Sequence, residues 1–452
     1  MRRLAPLLAA LLWLQASPPA PASTAPRFPR FPRFPNVLLV TVDTLRADRL
    51  SCYGYGRRTT PNLDRLLARG VRFDQARTVE PLTNPALASL LTSRYPHEHG
   101  ATRNGLRMRP GLPSLARALG QRGFSTAAFV GNWTLRDDLS GLGEHFGSYR
   151  QIASRKRWLL LKSEATGDDL TRAALGWLRE LRRESPDRPF LLWVHYVEPH
   201  APYRTQSALR EQLGLGGRRD LAASDRYDTE VAFVDRAVGE LLDGVGELVR
   251  GEETLVAFAG DHGESLGEHG YWGHGRHLYE NNLRVPMGVV WEGKLAPAVV
   301  DAQASLLDLA PTLLGLMGYP ALREPRGFDW TPVLRGEAPP PHRASYFQAH
   351  KGAVQSVEDL SRARRRGLLE VALLIGQRKE TLRLRGLERL VVDVGGDPGD
   401  ERNLAAHGSP ASSDLARWRS LVEQGLLSAD ELPSPTLDRE TVEQLRALGY
   451  TD

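Results

Sequence analysis

Two short apolar runs in this sequence each stop at side chains that bind metals. Val37 to Val42 is apolar at five of six positions and ends at Asp43. Thr254 to Ala259 is mostly apolar and leads into Gly260-Asp261-His262-Gly263-Glu264. Short runs of β-branched and aliphatic residues fit strands buried on both faces. Open α/β sheets gather ligands at the carboxyl ends of such strands. Asp43, Asp261 and His262 would then meet at one sheet edge. Carboxylates suit a hard divalent cation, and the added imidazole suits zinc or manganese better than calcium. The plainer alternative is structural, with Asp43 capping a helix and His262 packed in a turn.

A hydroxyl stands in Pro81-Leu82-Thr83-Asn84-Pro85, ahead of a helical run from Ala86 to Leu91. A helix N-terminus offers oriented N–H groups and a positive dipole end, which together cradle anions. The plainer role for Thr83 is the N-cap. Two loops carry histidines among glycines and prolines, where core packing explains them poorly. One is His195-Tyr196-Val197-Glu198-Pro199-His200-Ala201-Pro202-Tyr203; the other, Gly270 to His277, holds His274 and His277. His97 and His99 are weaker candidates that fit a turn at a helix end. Cys52 is the single cysteine, which excludes an internal disulfide and a thiolate metal cluster. It has no evident base beside it and reads as a small hydrophobe.

The elements that must hold these groups follow from period and punctuation. Pro61 to Arg69 reads as a helix with Thr60 as N-cap, and Val71 opens a strand. Helices are expected over Pro113–Leu119, Asp168–Leu181, Tyr227–Val245 and Ser305–Met317, and strands over Ser125–Val130, Pro189–Tyr196 and Val285–Trp291. This alternation predicts one large α/β domain over residues 36–336. Short runs at Val371–Ile375, Thr381–Leu384 and Leu390–Val392 predict a small antiparallel sheet within a subdomain over 337–407. Residues 408–452 read as a polar tail with scattered helix and a terminal helix at Glu440–Leu448.

The chain has 452 residues and a formal charge of +5, carried almost wholly by arginine. No basic patch is interleaved with aromatics, so nucleic acid is not an expected partner. Arg364-Arg365-Arg366 reads as a solvated face. Met1-Arg2-Arg3 followed by an apolar run to Ala16 predicts a signal peptide over residues 1–22. Three Arg-Phe-Pro repeats then form an extended linker within 23–35. A secreted or periplasmic protein follows, or a membrane-anchored one if the signal stays uncleaved. No other stretch is long and apolar enough to span a bilayer.

Together these stretches resemble the sulfatase family of the alkaline-phosphatase-like superfamily. The motif order matches: Asn36 to Asp48, Leu90-Leu91-Thr92-Ser93-Arg94-Tyr95-Pro96-His97-Glu98-His99-Gly100, Glu198 to Tyr203, Tyr227 to Asp235, Gly260 to Glu264, Asp308 to Thr312, and Asp397 to Leu404. The resemblance implies a large α/β domain with a central mixed, mainly parallel sheet flanked by helices, plus the small C-terminal antiparallel subdomain.

The departures from the family pattern bear on the chemistry. Family sulfatases carry Cys-x-Pro-x-Arg, whose Cys or Ser is oxidised to formylglycine. Counting back from Arg94, that position is Thr83, and the arginine is replaced by Leu87. Oxidation of a secondary alcohol gives a ketone, so no formylglycine is expected. Thr44 follows Asp43 where the family pairs two acids. Asn132 and, roughly, His274 stand where the family has sulfate-holding lysines. The remaining set is similar to that of the threonine-nucleophile branch, which includes phosphoethanolamine and phosphoglycerol transferases. This implies Thr83 as nucleophile and one divalent ion (Mn, Zn, Mg or Ca) on Asp43, Asp261 and His262. It also implies His200 and His274 on the substrate oxygens or leaving group, with His195, His277 and Asn132 as further substrate-binding candidates. The expected substrate is a small-molecule, glycan-linked or lipid-linked sulfate or phosphate ester. Phosphoester chemistry is favoured, because a threonine ester lacks the collapse to aldehyde by which a formylglycine hydrate sheds sulfate. Two alternatives stay open: a sulfuric ester hydrolase with a site free of formylglycine, and a catalytically silent family member that binds ligand.

Overall fold

A computed structural model describes residues 35–152, 166–250, 253–352, 367–406 and 408–429. The expected signal peptide, nearly all of the Arg-Phe-Pro linker, the Arg364–Arg366 run and the terminal helix lie outside the described residues. The large sheet is built from β1 (Asn36–Val42), β2 (Val71–Arg77), β3 (Ser125–Val130), β4 (Ser148–Gln151), β5 (Phe190–Tyr196) and β6 (Thr254–Gly260). After a two-stranded ribbon, β7 (Ser265–Leu266) and β8 (Trp272–Gly273), it is completed by β9 (Met287–Val290) and β10 (Ala298–Ser305). The order across it is β10-β2-β9-β6-β1-β5-β3-β4. Only β9 runs antiparallel to its neighbours, which gives the mixed, mainly parallel sheet that the resemblance implied.

The alternation along β1 sorts the core into two layers. Val37 and Leu39 face one layer, with Leu87, Leu90 and Leu91 of the Thr83–Thr92 helix and Leu309 and Leu313 of the Leu309–Leu316 helix. Leu38, Val40 and Val42 face the other, with Leu170 and Leu178 of the Gly167–Glu184 helix and Val231 and Val238 of the Ala223–Leu248 helix. A strand covered on both faces reads as an unbroken apolar run, which is why β1, β5 and β6 were visible in the sequence. β10 was not, because it is an edge strand with Val299 and Asp301 exposed. No helix among the described residues is long and apolar enough to cross a membrane.

The second sheet is a meander, β11 (Ala344–His350), β12 (Leu368–Ile375), β13 (Arg378–Arg383) and β14 (Glu388–Asp393). β11 escapes a sequence reading because its buried positions include Ser345, Gln348 and His350. Residues Ser413–Ala429, within the stretch read as a polar tail with scattered helix, form one helix. Its Leu415, Trp418, Val422 and Leu426 recur every three or four residues and bury against Leu368, Val371, Leu373 and Leu382. Trp418 donates its indole N–H to the Phe347 carbonyl at 2.9 Å and packs edge-on to Tyr95 at 4.8 Å. His97 and His99 have packing roles: His97 donates to Gln348 Oε1 at 2.8 Å, and His99 bonds Ser89 at 3.0 Å.

A buried charge cluster also joins the two sheets. Lys379 of β13 is 2% exposed. Its ammonium donates to Leu278 O, Glu280 Oε1 and Asp400 Oδ2 at 2.9, 3.1 and 2.7 Å. Arg77, at the end of β2, closes on Glu280 at 2.8 Å. Two cations thus balance two carboxylates out of water, and removing one leaves an uncompensated buried charge. Lys379→Met is expected to lower stability by about 3–5 kcal/mol in chemical denaturation; a change within experimental error would show that the cluster does not hold the sheets together.

Candidate active site

The register of the central strands brings the two acids together. β1 lies between β5 and β6, with Val42 opposite Tyr196 on one side and Gly260 on the other. The next residue on each side continues the pairing: Asp43 N donates to Tyr196 O at 2.9 Å, and Asp261 N donates to Val42 O at 3.1 Å. Asp43 and Asp261 therefore leave the sheet side by side, both fully buried. One oxygen of Asp261 accepts two backbone N–H groups, from Thr44 at 3.0 Å and His262 at 2.7 Å. Asp43 Oδ2 accepts the Asn132 amide. That amide cannot flip, because its oxygen accepts from the Thr134 N–H and hydroxyl at 2.8 and 2.7 Å.

Two oxygens are left over, Asp43 Oδ1 and Asp261 Oδ2, both buried without a hydrogen-bond partner. His262 Nε2 lies 3.7 Å from the first and 3.6 Å from the second. The ring's Nδ1 faces only the Gly263 carbonyl at 2.9 Å and so carries the proton. Nε2 is thereby left with a lone pair, and Thr83 Oγ1 sits 3.3 Å from it. The turn admits no side chain at Gly263, where a Cβ would lie 1.9 Å from Asn281 O. Orphaned buried oxygens around an imidazole lone pair and a hydroxyl match the donor set of a divalent cation.

The electrostatics agree. Burial opposes ionisation of Asp43, but His200, His195 and His262 outweigh it and hold the carboxyl well below its usual range. Asp261 is pushed well above its usual range by burial and by the Asp43 charge. Burial, aided by His274, brings His262 down to about 3 and so keeps its ring neutral. Two adjacent carboxyls that cannot both ionise unaided would both do so around a cation. A ring nitrogen of His195 also falls within 4.8 Å of oxygens of both acids, so two imidazoles border the same position.

Thr83 is the first residue of the buried Thr83–Thr92 helix, and the N-cap is Leu82. The helix therefore starts three residues before the expected Ala86, which Pro85 permits because the first turn needs no intrahelical N–H donors. Leu87, expected from the resemblance to stand in place of an arginine, is core. His274 and His200 join the centre: ring centroids are 4.5 Å apart for His262 and His274, and 5.2 Å for His200 and His274. His274 Nδ1 donates to Glu264 at 3.2 Å, and Tyr203 donates to the same carboxylate at 2.5 Å. Glu264 and Tyr203 received no role from the sequence, although each closes a motif that was singled out. His277 is not drawn to this centre. Its Nδ1 donates to Glu370 of β12 at 2.7 Å, because Gly275 turns the chain toward the small sheet. Asn132, expected as a substrate-binding residue, donates one amide hydrogen to Asp43 and so orients that carboxylate. Burial and Asp64 raise the Cys52 thiol, consistent with an inert cysteine.

Tyr227 holds the turn that carries Asp43. Its hydroxyl donates to Thr44 O at 2.7 Å and accepts from Arg46 N at 3.0 Å. Between these bonds Thr44 adopts φ +52°, a left-handed conformation that costs a β-branched residue about 1–3 kcal/mol. Tyr227→Phe is expected to lower stability by about 1–3 kcal/mol. It should also shrink the stabilisation that added Mn²⁺ or Zn²⁺ confers in thermal melts, because the Thr44–Asp261 bond loosens. An unchanged metal-dependent shift would contradict this role.

The Sulfatase family model matches residues 35–319. Human arylsulfatase A is 31% identical over 364 residues, covering 69% of this chain and 70% of that protein. The choline-sulfatase of Rhizobium meliloti is 27% identical over 373 residues, covering 67% of this chain and 72% of that protein. Among solved structures, a protein in complex with its substrate D-glucosamine-2-N,6-O-disulfate superposes with a TM-score of 0.68 at 19% identity, over 88% of this chain and all of that one. The phosphonate monoester hydrolase of Agrobacterium radiobacter gives a TM-score of 0.64 at 21% identity, over 87% of this chain and 95% of that one. The structural likenesses establish the fold, and the family match over most of the described core establishes kinship: the chain belongs to the sulfatase family.

Proposed function

We propose that this protein is an exported, metal-dependent hydrolase or transferase of phosphate or sulfate esters, with Thr83 as nucleophile and phosphoesters or phosphodiesters as the favoured substrates. The observation that carries this reading is the position of Thr83 Oγ1, 3.3 Å from the His262 nitrogen that also faces the orphaned oxygens of Asp43 and Asp261. A divalent ion held by Asp43, Asp261 and His262 would supply charge neutralisation and a lowered hydroxyl pKa. Thr83 opens a helix, so the N–H groups and dipole of that first turn favour negative charge at its oxygen. Its Oγ attacks phosphorus or sulfur in line, and a bond to Thr83 forms as the bond to the leaving alcohol breaks. In this reading His274, whose Nδ1 meets Glu264, and His200 bind non-bridging oxygens and give the departing oxygen its proton through Nε2. Water, or an acceptor alcohol in a transferase, then attacks the threonine ester and restores the hydroxyl.

Phosphorus is favoured over sulfur on chemical grounds. With no aldehyde to collapse to, the threonine ester is released only by attack at the central atom. The names of the relatives, arylsulfatase A and choline-sulfatase, support the sulfate reading instead. The test is a screen of p-nitrophenyl phosphate, bis-p-nitrophenyl phosphate, a phosphonate ester and p-nitrophenyl sulfate with Mn²⁺, Zn²⁺, Mg²⁺ and Ca²⁺. Thr83→Ala should lose at least about 10³-fold in kcat on every active ester. Chelation should abolish turnover, and readdition of the ion should restore it. Full turnover by Thr83→Ala would overturn the mechanism; tight stoichiometric metal binding without turnover of any ester would favour a silent binding protein.

A further inference from the structure

We infer that His195 stands beside the cation position without ligating it, and presents a fixed Nε2–H there as a donor to an ester oxygen. The inference rests on the reading of Asp43, Asp261 and His262 as the holders of the ion. It decides which of the two bordering imidazoles offers a lone pair.

The assignment follows from the hydrogen bonds behind the ring. Thr41 of β1 pairs with His195 of β5, and paired residues project from the same sheet face. Trp193, two residues before His195, projects there too. Its indole N–H can only donate, and it donates to Thr41 Oγ1 at 2.8 Å. Thr41 Oγ1 also lies 2.9 Å from His195 Nδ1. If Thr41 donates its hydrogen to Nδ1, every group is satisfied and the ring proton sits on Nε2. In the other tautomer two donors converge on Thr41, and its own hydrogen is buried without an acceptor, since Thr41 is fully buried. That penalty biases the tautomers by roughly 10- to 100-fold. The indole that starts the relay is itself fixed, buried and stacked on Phe146 at 5.6 Å.

At its far end, His195 Nε2 is buried without a hydrogen-bond partner, 3.8 Å from Asp43 Oδ2. That distance is too long for a hydrogen bond. An N–H there is attracted to the carboxylate, whereas a lone pair would be repelled. The other histidines of the centre are wired the opposite way. Nδ1 of His262 faces the Gly263 carbonyl, that of His200 the Ala201 carbonyl, and that of His274 the Glu264 carboxylate. None of these partners can donate, so each ring carries a proton on Nδ1, and Nε2 is the nitrogen left to bind the ion or to take up and give a second proton. His262 therefore offers a lone pair to the ion, and His195 offers a hydrogen to an oxygen beside it.

The experiment is long-range ¹H–¹⁵N correlation on the full chain labelled with ¹⁵N-histidine, recorded without metal and with Zn²⁺. His195→Gln and His262→Gln spectra assign the two rings. The expected result is an Nε2–H tautomer for His195 in both states, and a His262 Nε2 resonance that moves on Zn²⁺ addition. Thr41→Ser should keep the His195 tautomer, while Thr41→Val should give a mixture of the two. A proton on His195 Nδ1, or a His195 Nε2 resonance that moves to a metal-bound position, would overturn the inference. A His262 resonance that ignores Zn²⁺ while His195 keeps its Nε2 proton would support the donor assignment and overturn the cation reading instead.

Discussion

Asp43 and Asp261 lie side by side because β1 and β6 run parallel in register, and neither carboxyl reaches water. Burying one carboxylate is costly and burying two in contact is more so. The surrounding groups are arranged to make that tolerable. Backbone N–H groups of Thr44 and His262 converge on one oxygen of Asp261, and Asn132 donates to one oxygen of Asp43. Tyr227 holds the strained turn that lets Thr44 contribute. What these donors leave uncovered is one oxygen on each acid, with the His262 lone pair beside both. Compensation is thus incomplete, and the shortfall has the charge and donor set of a divalent ion.

The same constraint bears on the positions at which the resemblance implied departures from the sulfatase pattern. Leu87, expected where that pattern has an arginine, lies in the core between the sheet and its helices. Asn132, expected at a lysine position, is neutral and anchors Asp43. Thr44, expected at the position of a second acid, adds no buried negative charge. A site with fewer acids and fewer fixed cations keeps its buried charge balanced. The side chains that border the position beside His262 are then imidazoles, those of His200 and His274.

The strands that carry the acids were legible because burial on both faces writes an unbroken apolar run, and the acids were legible because each ends such a run. Thr83 was not legible by itself. A threonine before a helix is usually a cap, and only the family motif order counted back from Arg94 pointed to it. The bond from His277 to Glu370 was not legible, because a histidine in a glycine-rich loop carries no record of which way the loop turns. The Trp193–Thr41–His195 relay was invisible for a different reason: it joins two strands whose pairing is set by tertiary structure, and Thr41 was only the polar interruption in β1. Scattered helix was legible over Ser413–Ala429, but not its docking on the second sheet, since four apolar residues at helical spacing suffice when they meet so narrow a sheet.

If Thr83 is the nucleophile, it becomes covalently esterified during turnover. The direct measurement is rapid acid quench of the enzyme at steady state with its best ester, followed by peptide mass spectrometry of the segment around Thr83. The expected peptide is heavier by the transferred group, a phosphoryl from a monoester, a phosphoryl that keeps its remaining ester group from a diester, or a sulfo group from a sulfate ester, with fragmentation placing it on Thr83. Turnover with an unmodified Thr83, or with the group on another side chain, would contradict it.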